Sequence, residues 1–224
     1  MAGQLVEFQG RARFWLEHRA DNATTETLTQ CWRDLVQGRV DLADGFNTAA
    51  ETFLALGPPV QNRAQLSERH VRILERVLLG ERAKVLALEY DVSASTVATL
   101  LKRSLQQLGW NQRHAALPVG LLILIKAARG GLPPGSRLYR GRLPDGSACR
   151  VLAAPLTPLA AVLPRAVHEV VRLHMEGKSY EEIAAHRATS TRTVANQVSA
   201  AFRILRVSGR DELRHYIAVG QVDS

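Results

Sequence analysis

The chain carries one pattern twice, at a constant spacing of 97 residues. Segment 66–110 aligns without a gap with segment 163–207, so that Gly80 falls on Gly177 (177 − 80 = 97). Similar residues recur at that spacing, among them Leu86/Ile183, Ala87/Ala184, Ser93/Ser190, Thr96/Thr193 and Val97/Val194. Chance rarely preserves such a register, so the pattern indicates an internal duplication of one supersecondary unit.

The same spacing extends upstream of each copy and predicts two β-hairpins. Extended runs at 137–143 and 148–153 flank Pro144-Asp145-Gly146-Ser147, a sequence typical of a tight turn. Their counterparts, 39–46 and 52–56, are joined by a link without glycine and give a weaker signal. An isolated hairpin is marginal in water, which favours pairing of the two across a pseudo-twofold axis into one four-stranded sheet. The predicted fold class is mainly α with small antiparallel β-hairpins (α+β).

This organisation divides the chain into four segments. They are 1–65 with N-terminal helices and the first hairpin, 66–117 with a divergent helix-turn-helix module, 118–162 with a helix and the second hairpin, and 163–220 with the second module. Trp32 shares a helical face with Leu28 and Leu35 and is expected to cover one face of the sheet. A helix over 113–128 is expected to join the first module to the second hairpin.

Composition limits the classes of function. The 224 residues carry a formal charge of +8, which attracts the phosphates of nucleic acid or of an anionic membrane. Cys31 and Cys149 are far apart and outside any CxxC motif, so we expect reduced thiols. No apolar leader follows Met1, and the apolar run 119–128 is too short to span a bilayer. These features predict a soluble protein of the cytoplasm.

Enzyme signatures are weak. Gly130–Gly135 has the glycine spacing of a phosphate loop, but Ser136 and Arg137 stand where lysine and then serine or threonine should be. His168-Glu169 matches the start of the zinc-protease motif H-E-x-x-H, but Arg172 occupies the position of its second histidine. With no nucleophile, base and orienting group together, we predict no enzyme activity, no cofactor and no metal site.

The second copy has the caps and periodicity of a helix-turn-helix. Ser179 and Glu182 form a capping box, and Ser190 is predicted to cap a third helix that runs to about Leu205. The core-facing stripe of that third helix is predicted to be Val194, Val198, Ala201, Phe202 and Leu205. Its outer face is then Arg192, Ala195, Asn196, Ser199 and Arg203. Short, polar and basic side chains suit a DNA groove, and Asn196 is the best candidate to contact an adenine.

The first copy repeats this construction with different side chains. Its third helix is predicted to bury Val97, Leu101, Leu105 and Leu108 and to expose Ser95, Ala98, Thr99, Lys102 and Gln106. Lys102 could reach a guanine or a phosphate. An ordinary solvated helix face is the alternative in both copies, but its recurrence on the third helix of two helix-turn-helix modules favours DNA.

The second module resembles the LuxR/GerE-type helix-turn-helix of bacterial transcription regulators. The resemblance rests on Gly177, Ser179, Glu182-Ile183-Ala184, Ser190, Thr193-Val194, Gln197-Val198, Ala201–Leu205 and Arg210–Leu213. It implies a four-helix module whose third helix enters the major groove and whose fourth helix often dimerises. It also implies phosphate contacts at Thr193 and Gln197, and groove-facing positions at Ala195, Asn196 and Ser199.

The chain departs from that family pattern at several positions. Glu181 stands where the family often has lysine, and it would repel phosphate. The first module keeps Lys84 but has Val85-Leu86-Ala87 in place of Glu-Ile-Ala, and Leu100 where a polar phosphate contact is expected. The first module is therefore either a second DNA reader or a degenerate copy used for packing.

The sequence as a whole predicts a DNA-binding transcription regulator located at the nucleoid. The predicted DNA-contacting residues are Lys178, Ser179, Arg192, Thr193, Ala195, Asn196, Gln197, Ser199 and Arg203 in the second module, with Lys84, Thr96, Ala98, Thr99, Lys102 and Arg103 in the first. The partner is double-stranded DNA, bound by a monomer acting as a pseudo-dimer or by a homodimer. The alternative is a sigma-factor-like protein-interaction module that docks on RNA polymerase or another regulator and has little DNA affinity.

Overall fold

The computed structural model describes residues 4–8, 11–16, 21–48, 50–59, 65–110 and 116–219. Its elements are, in chain order, β1 Gln4–Phe8, β2 Arg11–Leu16, β3 Asp21–Asn22, α1 Thr25–Val36, β4 Asp41–Asn47, β5 Glu51–Gly57, α2 Glu68–Leu78, α3 Ala83–Glu89, α4 Ala94–Gln107, α5 Ala116–Ala128, β6 Arg137–Arg142, β7 Ala148–Pro155, α6 Arg165–Met175, α7 Tyr180–His186, α8 Thr191–Leu205 and α9 Arg210–Val219. The predicted α+β class is confirmed.

The two predicted hairpins, β4–β5 and β6–β7, pair into one antiparallel sheet. The strand order is β6-β7-β5-β4, and β1, β2 and β3 extend the sheet beyond β6. In the central pair, Leu54 lies opposite Leu152 and Ala55 lies opposite Val151. The 97-residue shift takes position 54 to 151 (54 + 97 = 151) and position 55 to 152 (55 + 97 = 152). The duplication therefore relates the Leu54–Leu152 pair to the Ala55–Val151 pair. The sheet therefore has the predicted pseudo-twofold relation, with its axis between the two residue pairs.

The duplication is repeated in the path of the backbone. Helices α2 and α3 coincide with α6 and α7 to the residue after a shift of 97. The left-handed residues recur at the same spacing, as the pairs Gly38/Gly135, Gly80/Gly177, Asp91/Ala188 and Gly109/Arg206. Asp91 and Ala188 have φ values of 50° and 49°, a conformation that residues with a Cβ rarely adopt. The link between the second and third helices therefore has the same geometry in both copies.

Helix α5 serves both copies. The 97-residue shift places α9 over 113–122 and α1 over 122–133, so α5 overlaps both positions. The helix is apolar all round and buried, which suits an element packed between the sheet and other helices. Glycine permits this close approach, because a Cβ on Gly120 would lie 2.9 Å from Cδ2 of Leu54. The predicted boundary at residue 117 therefore falls inside a helix that both copies use.

The N-terminal segment differs from the prediction. The sequence predicts helices before the first hairpin, whereas the described part of that segment has strands β1, β2 and β3 and the single helix α1. The apolar run 14–16 is too short for periodicity to distinguish a strand from a helix. Pairing with β6, which sets Trp15 opposite Arg142, is a long-range contact that no local pattern encodes.

One central core unites the segments, and each helix-turn-helix adds a small core of its own. Trp32 of α1 is buried in the central core, and its Nε1 donates to Oε1 of Glu75 on α2 at 2.9 Å. Its predicted place over a face of the sheet stays a prediction. The local cores are Ile73, Leu86, Ala87 and Val97 in the first module and Val170, Leu173, Ile183, Ala184, Val194 and Val198 in the second. Each third helix thus contributes side chains both to its own local core and to the central core.

Candidate nucleic-acid interface

Side-chain caps define the helices of the second module. Ser179 and Glu182 form the predicted capping box, in which the Ser179 N–H donates to Oε2 of Glu182 at 2.7 Å. Oγ of Ser190 accepts from the N–H of Thr193 at 3.1 Å and begins α8. These bonds satisfy backbone donors that a helix start leaves free, so the sequence sets both start points.

The two faces of α8 are those that the sequence predicts. Val194, Val198, Ala201 and Leu205 are buried, and Phe202 is half-buried where the local core meets the central one. On the opposite side Arg192, Asn196, Ser199 and Arg203 are exposed, and Ala195 is half-buried. Because one side packs in two cores, the other faces solvent. We call Arg192, Asn196, Ser199 and Arg203 the α8 strip.

The α8 strip has unused hydrogen-bonding capacity. None of its four side chains makes a hydrogen bond or ion pair with another described residue. Three other predicted contact residues already have partners: Ser179 in its capping box, Thr193 with Oγ1 2.9 Å from Oγ of Ser190, and Gln197 with Oε1 accepting from Arg187 at 2.6 Å. Lys178 lies half-buried just before the Ser179 cap. The strip can therefore bind a ligand without first breaking internal bonds.

The first module exposes a similar but less available set. Ala98, Thr99, Lys102, Arg103 and Gln106 are exposed on α4, together with Thr96 near its capped start and Lys84 on α3. Thr99 donates its hydroxyl to the Ser95 carbonyl at 2.9 Å, and Oγ1 of Thr96 lies 2.8 Å from Oγ of Ser93. Lys102 and Arg103 are thus the principal groups that this face offers to an anion.

The second helices of the two modules differ more. Helix α7 has its capping box, whereas no side chain caps α3, and Val85 and Leu88 of α3 are 50% and 85% exposed. The 97-residue shift places these two on Glu182 and Ala185. The first module therefore presents apolar surface where the second presents a capping carboxylate and a methyl group.

Sequence reasoning missed two basic residues beside α8. Arg187 closes α7 and contacts both neighbouring helices of its module, Glu169 on α6 and Gln197 on α8. Arg206 is exposed at the C-terminus of α8 in the left-handed conformation, with φ of 54°. The periodicity of α8 does not include either residue. For Arg206 the sequence did contain a signal: the 97-residue shift aligns it with Gly109, and glycine is typical of the left-handed residue that ends a helix.

The fourth helix contributes a basic, half-buried group of side chains next to α6. Arg210 donates from Nη2 to the carbonyl of His174 at 2.8 Å. Burial, then the charges of Arg210 and Arg214, lower the pKa of His174 to about 4. His174 is accordingly neutral at pH 7, and its ring centroid lies 5.6 Å from that of Tyr180. Protonation of this histidine would oppose the packing of α9 on α6.

In the described parts of the chain, no helix has the length and apolar character to cross a membrane, and no three histidine, cysteine or acidic side chains cluster as metal ligands. Cys31 and Cys149 are free and buried. No family model, curated protein or solved structure matches the chain.

Proposed function

We propose that this protein binds duplex DNA and regulates transcription, with α8 in the major groove. The observation that supports this best is the α8 strip, which is exposed, basic at two of four positions and free of internal partners among the described residues. The groove is about 12 Å wide and admits one helix. Its base edges accept and donate hydrogen bonds, and the phosphate oxygens along it accept them. The net charge of +8 adds a general attraction to phosphate.

Each member of the α8 strip has its own proposed role. Asn196 reads an adenine, since its amide matches the N7 acceptor and N6 donor as a bidentate pair. Arg192 and Arg203, nearer the two ends of the helix, bind phosphate or guanine. The small side chains Ala195 and Ser199 let the helix approach the bases closely. The chain would accordingly act at the nucleoid in the cytoplasm.

A salt titration tests this proposal. Fluorescence anisotropy on a generic labelled duplex should give an association constant whose logarithm falls linearly with the logarithm of salt concentration, by about 0.9 per phosphate contact. Arg203→Ala should make the slope shallower by about that amount. The control variant is Arg39→Ala, which should leave the slope unchanged, because Arg39 pairs with Asp34 and is far from α8 in the sequence. Absence of binding at low salt, or a slope near zero, would exclude the proposed function.

Docking on RNA polymerase or another regulator is a second candidate function, and it concerns the first module. Exposed Val85 and Leu88 favour it, because residues three apart on a helix lie on the same face and together give α3 a contiguous exposed apolar surface. The double variant Val85→Ser/Leu88→Gln should then lose transcriptional regulation in a purified polymerase assay while keeping its DNA affinity. Full regulation by that variant would exclude this role.

A further inference from the structure

Arg187 connects the three helices of the second module. It follows α7 directly, and its backbone N–H donates to the carbonyl of Ile183 at 3.1 Å. Its guanidinium lies between Glu169 of α6, 3.2 Å from Nε to Oε2, and Gln197 of α8, to whose Oε1 it donates from Nη1 at 2.6 Å. The side chain is only 16% exposed, so it is held inside the module.

This contact gives the Gln197 amide one orientation. A guanidinium can only donate, so the amide atom beside Nη1 must be the carbonyl oxygen. The NH₂ group of Gln197, which can only donate, is therefore directed away from Arg187. Because the oxygen is fixed by a charged donor, the donor end of this amide has a defined direction before any ligand binds.

Gln197 also lies where a phosphate would be. It is half-buried on the flank of α8, between the buried residues Val194 and Val198 and the exposed Asn196. A helix that lies in the major groove turns its outer face to the base edges, and the two flanks of that face lie toward the two phosphate backbones. A neutral donor on a flank is thus placed to bind a phosphate oxygen.

We propose that Arg187 is a positioning residue, which orients the Gln197 amide so that its NH₂ group donates to a DNA phosphate. This inference rests on the proposed function, since it requires α8 to lie in the groove. Glu169 neutralises the guanidinium and holds it in place from the opposite side. Arg187 acts through Gln197 rather than by contacting DNA itself.

The first module has none of the three residues. The 97-residue shift places Glu169, Arg187 and Gln197 on Arg72, Tyr90 and Leu100. Arg72 pairs instead with Glu68 at 3.2 Å, and the Tyr90 ring lies 5.7 Å from the guanidinium of Arg69. The oriented phosphate contact is therefore proposed for the second module alone.

Binding measurements with a mutant cycle test the proposal. The double variant Glu169→Gln/Arg187→Met removes the ion pair without a change of net charge, and Gln197→Ala removes the amide. Each should weaken binding to duplex DNA about tenfold, and the combination should weaken it no further. The salt slope should stay unchanged, since no cation that contacts phosphate is lost. Additive losses, or a slope reduced by about 0.9, would overturn the proposal.

A measurement on the free protein separates this proposal from the proposed function. Nitrogen-15 relaxation should show a rigid Gln197 side-chain amide in the wild type and a mobile one in Glu169→Gln/Arg187→Met, with the Asn196 amide as an unaffected control. Arg187→Lys, which keeps the charge and one donor, should restore part of the rigidity. A Gln197 amide that is equally mobile in all three would overturn the proposal alone. A wild-type chain that does not bind DNA would overturn both.

Discussion

Single side chains of the α8 strip offer different chemistry from the same surface. Asn196 lies on the middle of the exposed face, where a groove-bound helix meets base edges. Arg203 lies two turns later and carries a full charge, which a phosphate attracts whatever the base sequence. The two residues should therefore fail in different ways when they are truncated.

Asn196→Ala should reduce discrimination between sites, and Arg203→Ala should weaken binding to all of them. A lost bidentate base contact costs about 1–3 kcal/mol at one position of the site, whereas a lost phosphate contact lowers affinity uniformly. Competition binding with a library of single-base site variants measures both effects. Wild-type affinity and wild-type sequence preference in Asn196→Ala would show that this face does not read bases.

His174 gives the molecule a stability that depends on pH. Its folded pKa of about 4 lies below the ordinary value of 6.5, so the unfolded chain binds this proton more readily. The stabilisation is complete above pH 6.5 and is lost as the pH falls toward 4. Because the ring is partly exposed, we expect a loss of about 1–2 kcal/mol.

Denaturant melts of wild type and His174→Gln at pH 7 and pH 4.5 measure this contribution. Carboxylates such as Glu212 also titrate in acid, so the quantity to compare is the difference between the two proteins. The wild type should lose more stability than the variant over that interval. Parallel losses in both proteins would mean that His174 does not carry the effect.

At the scale of elements, the stripe on α8 decides which substitutions disturb folding and which disturb binding. Val194→Asp places a carboxylate without a partner in a fully buried position and should destabilise the second module by at least about 3 kcal/mol. Ser199→Asp puts the same group on the exposed face, where it should leave the melting temperature unchanged and abolish DNA binding by repelling phosphate. Circular dichroism melts and anisotropy compare the two, and equal melting temperatures would contradict the assigned faces.

The elements that sequence could predict are those with local signals. Ser179 and Ser190 begin helices at the predicted residues, and Gly146 lies in the predicted hairpin turn, because caps and turns depend on neighbours in sequence. The α8 faces follow from helical periodicity. The residues of the α8 strip could therefore be identified from the sequence. The ligand that they bind is a proposal.

Other features depend on contacts between residues far apart in the chain. Strands β1 and β2 form by pairing at the edge of the sheet, and α5 belongs to both copies because it packs against α1 and α9 at once. Arg187 becomes a candidate only when Glu169, 18 residues before it, and Gln197, 10 residues after it, meet around its guanidinium. No periodicity within one helix encodes such a meeting.

At the scale of the whole molecule, one chain contains two helix-turn-helix modules related by a pseudo-twofold axis. Many DNA-binding proteins obtain such a pair of modules by dimerisation. A twofold axis in an ordinary dimer sets two third helices about 34 Å apart, one turn of DNA. Here the pseudo-twofold axis lies within the sheet, between the pairs Leu54–Leu152 and Ala55–Val151. The two modules carry different exposed side chains, so the two halves of a bound site should be unequal, and the second module should contribute more of the affinity.

Multi-angle light scattering of the DNA complex, combined with hydroxyl-radical footprinting, tests most directly whether one chain binds DNA with both of its modules. We predict one chain per duplex and protection of two successive turns, the stronger of which weakens in Asn196→Ala and the weaker in Lys84→Ala/Lys102→Ala. Two chains per site, or full affinity and an unchanged footprint in Lys84→Ala/Lys102→Ala, would contradict a chain that binds DNA with both of its modules.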